Sequence, residues 1–414
     1  MQNWLIHRTE LTDEQLRAVE LNPNEHRLVF GAPGSGKTQI LLHRAAYLRD
    51  SWNVSPERFR IFVFTNSLKQ YIQSAMDFLD LPEDCILTFD DWCMRFYKAH
   101  INSRVPWDNE NKSPDYKGIR RQVLEKLRAS TGKPLYDFVL VDEGQDLDHD
   151  AFETIRRIAQ HVTVCMDNKQ QIFEPGSNES EILDVFGLRR RNVALLSAFR
   201  CCPYIVQLAS RLIDDQTARD NFLSQARTAQ TERQKPLLYF SGDEQDEKIR
   251  LTDIIKTRQN LGDRIAVLFP TKRLVYGYAK GFMEAGLEVE TPPKRGDSAV
   301  YIPIDFNSDR PKFLPYHSAK GLTFDTVIMP RLQPGAFGKT PHHIIERLLF
   351  VGITRATKWV YLSSRNGDSL PMLKKLEAQI AGDCLTIQKA GETSHTLPNI
   401  GSAPINEGLS DLLL

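Results

Sequence analysis

The sequence lacks the features that mark secreted or membrane-embedded chains. Its six cysteines include no Cys-x-x-Cys pair and no regular spacing, which argues against a structural zinc site and against a disulfide framework. It contains no apolar run of about 18 residues, and Met1-Gln2-Asn3-Trp4 forms neither a basic nor an apolar leader. We therefore expect a reducing, cytoplasmic setting, without export or membrane insertion.

An excess of one charge is missing as well. The 53 basic residues are balanced by 53 acidic ones, so no overall field attracts a polyanion, and a nucleic-acid partner would need local basic groups. With 41% hydrophobic and 26% charged residues, the 414-residue chain has the composition of a globular enzyme with two or three domains.

Short apolar runs that alternate with amphipathic stretches predict an α/β fold, with parallel sheets covered by helices. The runs lie at 28–30, 61–64, 138–141, 162–166, 265–269 and 327–329. They form two groups, which predict one α/β domain at 1–190, a second at 191–388 and a flexible tail at 389–414. Polar segments at about 100–134 and 290–311 indicate a small insertion in each domain.

The strongest motif is Gly31-Ala32-Pro33-Gly34-Ser35-Gly36-Lys37-Thr38, which follows the apolar run 28–30. Its glycines let backbone N–H groups converge on a phosphate, while Lys37 reaches the β and γ oxygens and Thr38 offers a hydroxyl to Mg²⁺. The helix that follows adds its positive dipole end. A glycine-rich surface turn is the alternative, but it leaves the strand–loop–helix context unexplained. We therefore expect the chain to bind a nucleoside triphosphate with Mg²⁺.

A second motif, Asp142-Glu143-Gly144-Gln145-Asp146, follows the apolar run 138–141. Parallel sheets build their sites at the carboxyl ends of their strands. Asp142 is therefore expected to hold Mg²⁺, and Glu143 to orient and deprotonate the water that attacks the γ-phosphate. Taken alone, the motif is also compatible with a solvated acidic cluster.

In this order, the motifs resemble those of the superfamily 1 helicases of the UvrD/Rep/PcrA type. The resemblance extends from Leu11 to about Ser364 and implies two RecA-like domains with an ATP cleft between them. Further segments that match lie at 11–19, 64–66, 88–92, 167–173, 197–200, 316–325 and 346–356.

The resemblance implies roles for residues around ATP. Gln15 would hydrogen-bond the adenine edge, and Phe199 would stack on the base. Gln145 and Gln170 would sense the γ-phosphate, and Gly321 of the fifth motif would belong to the nucleotide site.

Two arginines complete the implied ATP site. Arg200 and Arg355 would reach the γ-phosphate from the second domain, with Arg355 as the arginine finger, and such a split site makes hydrolysis depend on domain closure. Taken singly, each arginine is more often a surface ion-pair residue. Their joint place within matching motifs favours the catalytic role.

For nucleic acid, the resemblance implies hydroxyl, amide and aromatic contacts with a single strand. The residues are Phe64, Thr65, Asn66, Thr88, Phe89, Trp92, Phe173 and His317. Each aromatic among them has a core-packing alternative of equal weight, whereas Trp359 and Tyr361 are expected in the core. The implied partner is single-stranded or tailed DNA, with RNA not excluded.

Three departures from the family pattern affect the predicted function. Glu174-Pro175-Gly176-Ser177 stands where the family has Trp-Arg-Gly, Thr323 replaces a glutamate, and the insertions are short. We expect an ATP-dependent DNA helicase or translocase that moves 3′→5′. The alternative is an ATPase switch or sensor that regulates a protein partner such as a nuclease, without processive unwinding. An unrelated P-loop ATPase or small-molecule kinase would leave the arginine motifs unexplained.

Overall fold

The computed structural model describes most of the chain. The described residues are 4–31, 34–110, 112–167, 179–189, 193–196, 202–225, 234–294, 301–378 and 384–391. We call residues 4–196 the first lobe and residues 202–391 the second lobe, because each contains one large parallel sheet covered by helices.

The first lobe is built on a six-stranded sheet in the order β3-β2-β6-β7-β1-β8, with all neighbouring strands parallel. Its strands are β1 (Arg27–Gly31), β2 (Phe59–Val63), β3 (Ile86–Thr88), β6 (Tyr136–Val141), β7 (Ala159–Met166) and β8 (Val193–Leu196). Strands of a parallel sheet that is covered on both faces are apolar along their whole length. The apolar runs predicted in this lobe therefore coincide with observed strands.

Helices and one small hairpin complete the first lobe. The helices are α1 (Asp13–Val19), α2 (Lys37–Trp52), α3 (Asn66–Gln73), α4 (Phe89–His100), α5 (Tyr116–Arg128), α6 (His149–Ile158) and α7 (Glu179–Phe186). The hairpin pairs β4 (Trp107–Asp108) with β5 (Ser113–Pro114). The predicted insertion at about 100–134 therefore consists of this hairpin and α5, which packs on α4 and α6.

The second lobe is built on an eight-stranded parallel sheet in the order β12-β11-β13-β10-β14-β15-β9-β16. Its strands are β9 (Leu237–Ser241), β10 (Ile265–Phe269), β11 (Glu290–Thr291), β12 (Ile302–Pro303), β13 (Lys312–Pro315), β14 (Phe324–Met329), β15 (Ala356–Arg365) and β16 (Thr386–Lys389). Its helices are α8 (Pro203–Ser210), α9 (Gln216–Gln225), α10 (Glu244–Asn260), α11 (Lys272–Glu284), α12 (Pro334–Phe337), α13 (His342–Ile353) and α14 (Leu373–Ala378).

Two strands bear on the predicted domain limits, which remain predictions. Strand β8 begins after residue 190 and pairs with β1, so the first sheet continues past the predicted boundary. Strand β16 ends at Lys389 and pairs with β9, so the predicted tail begins inside a strand. Residues 392–414 of that tail lie outside the described part of the chain. Trp359 and Tyr361 are buried in the core, as predicted.

The two lobes pack closely against each other. Helix α3 of the first lobe packs against the turn Tyr316–Ala319 of the second. One apolar cluster runs through both lobes, and it includes Leu68 of α3 together with Leu322. Among the described residues, no helix is long and apolar enough to cross a membrane.

Candidate functional site

The phosphate-binding loop leaves the carboxyl end of β1 and leads into α2. Gly36 caps the start of α2 with a φ of 84°, and Gly34 has a φ of 78°. A Cβ atom at Gly36 would lie 2.7 Å from Nε2 of Gln15. The left-handed backbone therefore favours glycine at residue 36, and a larger side chain would also displace the amide of Gln15.

Lys37 lies inside the loop at 7% exposure. Its Nζ donates a hydrogen bond of 2.7 Å to the carbonyl of Gly31 and lies 3.9 Å from Oδ2 of Asp167. The loop therefore surrounds a buried ammonium, which is the group that a bound triphosphate needs.

The two predicted metal ligands lie side by side. Thr38 Oγ1 donates a hydrogen bond of 2.7 Å to Oδ2 of Asp142, whose Oδ1 accepts from the backbone N–H of Glu143 at 3.0 Å. Burial, and then the charge of Glu143, raise the pKa of Asp142. Mg²⁺ prefers oxygen ligands, and the Thr38 hydroxyl and the Asp142 carboxylate place two oxygen-bearing groups side by side.

Glu143 occupies a strained position at the carboxyl end of β6. Its φ is 55°, and its Oε2 accepts a hydrogen bond of 2.5 Å from Nε2 of Gln145. Burial alone would raise its pKa, but Lys320, followed by Lys37 and Arg355, outweighs burial and holds the pKa below its ordinary value. The carboxylate is therefore ionised near neutral pH, as the base that accepts a proton from water must be.

Gln145 connects this carboxylate to the end of the neighbouring strand β7. Its Oε1 accepts a hydrogen bond of 3.0 Å from the backbone N–H of Asp167, while its Nε2 bonds Glu143. In this structure Gln145 holds the carboxylate of Glu143, and its predicted contact with the γ-phosphate remains a prediction.

Arg355 reaches the site from the second lobe. It is 6% exposed and donates hydrogen bonds to the carbonyls of Val351 and Leu322 at 3.2 and 3.4 Å. A cavity between the lobes brings it together with Lys37 and Glu143. The described residues that line this cavity are Trp4, Gly34, Gly36, Lys37, Thr38, Gln39, Tyr71, Glu143, Arg264, Gly321, Thr323, Thr354, Arg355 and Thr357.

Gln15 is turned towards the chain itself. Its Oε1 accepts from the backbone N–H of Thr12 at 3.1 Å, and its Nε2 donates to the carbonyl of Ser35 at 3.0 Å. The side chain therefore supports the phosphate-binding loop from behind, and its contact with adenine remains a prediction. Gly321 lines the cavity, and its place in the nucleotide site remains a prediction.

Several residues of the cleft were not predicted from the sequence, and four of them are Trp4, Tyr71, Arg264 and Lys320. Trp4 stacks on Tyr71, with ring centroids 4.2 Å apart, and both line the cavity beside Arg264. Lys320 lies behind Glu143. Only Lys320 had a signal in the sequence, because it belongs to the matched segment 316–325.

The predicted nucleic-acid residues divide into two groups. Asn66 is exposed, and Phe64, Thr65 and His317 are half-buried, so these four are accessible. Thr65 also caps α3 by accepting from the backbone N–H of Leu68 at 3.1 Å. The turn that carries His317 packs on α3, so the accessible group spans both lobes.

The other group is buried in the core of the first lobe, which corrects the prediction for its two aromatics. Phe89 and Trp92 are 3% and 4% exposed, and Trp92 Nε1 donates a hydrogen bond of 2.9 Å to the hydroxyl of Tyr136. Thr88 is also buried and caps α4 by accepting from Asp91. The sheet covers the apolar face of α4, so Phe89 and Trp92 pack in the core, which is the core-packing alternative to base stacking.

Some predicted residues lie outside the described part of the chain. They are Ala32 and Pro33 of the phosphate-binding loop, together with Gln170, Phe173, Phe199 and Arg200. Their roles remain predictions.

Two family models match parts of the chain. The model of the UvrD/REP helicase N-terminal domain matches residues 11–135, and that of the UvrD-like helicase C-terminal domain matches residues 313–363. The first match contains the phosphate-binding loop, and the second contains Arg355. The matched regions therefore include Lys37 and Thr38 on one side of the cleft and Arg355 on the other, whereas Asp142 and Glu143 lie outside both.

Curated relatives match over shorter stretches. The chain is 33% identical over 91 residues to the ATP-dependent DNA helicase PcrA of Staphylococcus epidermidis, which is 21% of this chain and 12% of that protein. It is 33% identical over 88 residues to a probable DNA helicase II homolog of Mycoplasma capricolum, 20% of this chain and 12% of that protein. It is 26% identical over 125 residues to the ATP-dependent DNA helicase srs2 of Schizosaccharomyces pombe, which is 28% of this chain and 14% of that protein. The matches thus span 12 to 14% of these relatives.

Proposed function

Since the chain is a UvrD/Rep/PcrA-like protein of helicase superfamily 1 with two RecA-like lobes, we propose that it is an ATP-dependent DNA translocase or helicase. It hydrolyses Mg-ATP in the cleft between the lobes and moves along single-stranded DNA in the 3′→5′ direction. The observation that carries the proposal is the shared cavity, which Lys37 and Glu143 line from the first lobe and Arg355 from the second.

Each of these residues has a role that follows from its chemistry. Lys37 and the loop amides bind the phosphates, and Glu143 orients a water molecule and accepts its proton. Arg355 stabilises the negative charge that develops on the γ-phosphate. Thr38 and Asp142 are the residues that would hold Mg²⁺, which when bound neutralises phosphate charge.

Movement follows from the division of this site between two bodies. Closure around ATP is favoured because Arg355 reaches the phosphates only when the lobes are together, and hydrolysis removes that attraction. The accessible residues that are predicted to contact DNA also divide between the lobes, with Asn66 on the first and His317 on the second. Changing the distance between two such contacts shifts the lobes along the strand one at a time.

A second candidate function is an ATPase switch that controls a partner protein such as a nuclease. The observation that favours it is the small insertion in the first lobe, which consists of one short hairpin and α5, with α5 packed on α4 and α6. Little surface is left there for gripping a duplex. In that case the partner would respond to closure of the lobes around ATP, and the closure would not drive unwinding.

One pair of assays tests the proposal and separates the two candidates. ATP hydrolysis is measured without nucleic acid and with single-stranded DNA, single-stranded RNA or duplex DNA, and strand displacement is measured on a duplex with a 3′ tail. Stimulation by single-stranded DNA together with displacement on the 3′-tailed substrate supports the motor. Hydrolysis without displacement and without stimulation by any nucleic acid supports the switch. Stimulation by RNA alone or displacement only from a 5′ tail contradicts the proposed track or direction.

A further inference from the structure

A buried lysine of the second lobe contacts the catalytic segment of the first. Lys320 follows the turn Tyr316–Ala319, and its side chain is 1% exposed. Its ammonium donates a charged hydrogen bond to Oδ2 of Asp146 and lies 3.6 Å from Oε2 of Glu143. Both carboxylates follow strand β6, so these contacts join the two lobes.

The backbone around Lys320 is pressed against the first lobe. Gly321 has a φ of 77°, and a Cβ atom there would lie 2.8 Å from Cδ2 of Leu68 in α3. Ala319 and Leu322, on either side, are fully buried. The lysine is therefore held at the interface by apolar contacts on both sides.

This arrangement makes the ion pair depend on closure of the cleft. A buried ammonium is costly unless a carboxylate lies close to it. Separating the lobes would move Lys320 away from Asp146 and Glu143, because the lysine belongs to one lobe and the carboxylates to the other.

The contact with Asp146 bears on Glu143 through the short turn Gly144–Asp146. Glu143 precedes this turn in the left-handed region, with a φ of 55°. A non-glycine residue keeps such a backbone only when its surroundings hold it. Asp146, fixed at the far end of the turn by Lys320, supplies part of that support.

We propose that Lys320 is a positioning residue that couples closure of the cleft to the placement of Glu143. It acts through Asp146 and the turn Gly144–Asp146 and does not contact the nucleotide. The inference rests on the proposed ATPase function, and it names the contact by which the second lobe controls the base of the first.

The second lobe offers a matched control in Lys312. This lysine is also buried, and its Nζ lies 2.8 Å from Oε2 of the fully buried Glu290. The pair stays within the second lobe, on β13 and β11. Lys312→Met therefore removes a buried ion pair of the same kind without touching the cleft.

The experiment compares Lys320→Met, Lys320→Arg and Lys312→Met in the full chain. Steady-state ATP hydrolysis gives kcat and KM, and thermal unfolding gives the Tm. Lys320→Met is expected to lower kcat about 10- to 100-fold, the range seen when a residue that orients a reacting group is lost, with a smaller change in KM. Lys320→Arg retains the charge and should recover most of kcat. Lys312→Met should lower the Tm and leave kcat near wild type.

A double variant tests whether Lys320 acts through Asp146. Asp146→Asn should lower kcat as Lys320→Met does, and combining the two should add little, because residues of one network are not additive. Fully additive losses would overturn this route.

Three other outcomes would overturn the inference. If Lys320→Met lowers the Tm like Lys312→Met but keeps kcat, the lysine is a structural contact only and the inference is wrong. A raised KM with unchanged kcat would make Lys320 a nucleotide-binding residue, which also overturns it. Absence of hydrolysis by the wild-type chain overturns the proposed function and this inference together.

Discussion

The hydroxyl of Thr38 donates a hydrogen bond of 2.7 Å to Asp142, although 104 positions separate the two residues in the sequence. Strands β1 and β6 are both parallel members of the first sheet and end at the same edge. The residues that follow them therefore meet, and this brings the predicted phosphate-binding loop next to the predicted metal-binding carboxylate.

Thr38→Val tests this pair as a metal site. The methyl group keeps the shape of the side chain but removes the oxygen, so we expect the Mg²⁺ concentration for half-maximal ATP hydrolysis to rise about 10- to 100-fold. A Mg²⁺ titration of the ATPase rate measures this. The control is Thr154→Val on α6, whose hydroxyl bonds the carbonyl of Asp150 within the same helix. Equal Mg²⁺ requirements in both variants would contradict the assignment.

Lys37→Ala is expected to abolish both nucleotide binding and hydrolysis. The ammonium is buried in the loop and bonded to Gly31, so its loss removes the main positive charge from the phosphate site. Binding of a fluorescent ATP analogue and phosphate release measure the two effects. Hydrolysis at the wild-type rate in this variant would show that the loop is not the catalytic site.

Glu143→Gln is expected to separate binding from hydrolysis. The amide retains the size of the carboxylate but cannot accept a proton from water, so kcat should fall about 10²- to 10⁴-fold, while the nucleotide still binds. Glu153→Gln is the control, because Glu153 pairs with Arg128 and Arg157 on the helices α5 and α6. A wild-type kcat in Glu143→Gln would assign the base to another residue.

Arg355→Ala should reduce hydrolysis without preventing binding. A guanidinium that stabilises the transferred phosphoryl group contributes about 10³-fold or more to kcat. Arg355 also donates hydrogen bonds to the carbonyls of Val351 and Leu322, so the Tm of the variant is measured together with its rate. Arg355→Lys keeps the charge but loses the planar geometry, and it should remain slow while retaining a near-normal Tm. Recovery of the full rate in Arg355→Lys would exclude a specific guanidinium role.

Phe64→Ala should weaken the response to single-stranded DNA. Loss of one aromatic that stacks on a base costs about 1 to 3 kcal/mol, so the DNA concentration for half-maximal stimulation should rise, while the basal ATPase rate stays unchanged. Trp92→Phe is the control, since Trp92 is buried and bonds Tyr136. It should lower the Tm and leave the response to DNA as it is. A weaker response to DNA in Trp92→Phe, with a normal response in Phe64→Ala, would support the prediction that Trp92 contacts nucleic acid.

The predictable part of this protein is what short stretches of sequence encode. The runs at 138–141 and 265–269 gave strands β6 and β10, because a buried parallel strand is apolar throughout. Strands β11 and β12 have two residues each, too few for any such pattern. The phosphate-binding loop was also predictable, because its glycines and lysine serve one local geometry.

The contacts across the cleft were not predictable in the same way. Lys320 and Asp146 lie 174 positions apart, and no local pattern indicates that a lysine after a short turn will be buried against a carboxylate. The burial of Trp92 was unpredictable for another reason. An aromatic near the start of a helix can face the core or the solvent, and only the packing of α4 on the sheet decides between them.

The contact of Gly321 with Leu68 gives the cleft a mechanical property. Leu68 is fully buried, so each opening of the lobes exposes apolar surface to water. Exposed apolar surface costs about 25 cal/mol for each Å², and this cost rises as the lobes separate. Burial of this surface therefore favours the arrangement in which the two lobes are in contact, even without a bound nucleotide. The apolar contact between Gly321 and Leu68 therefore adds to the closure that bound ATP would favour.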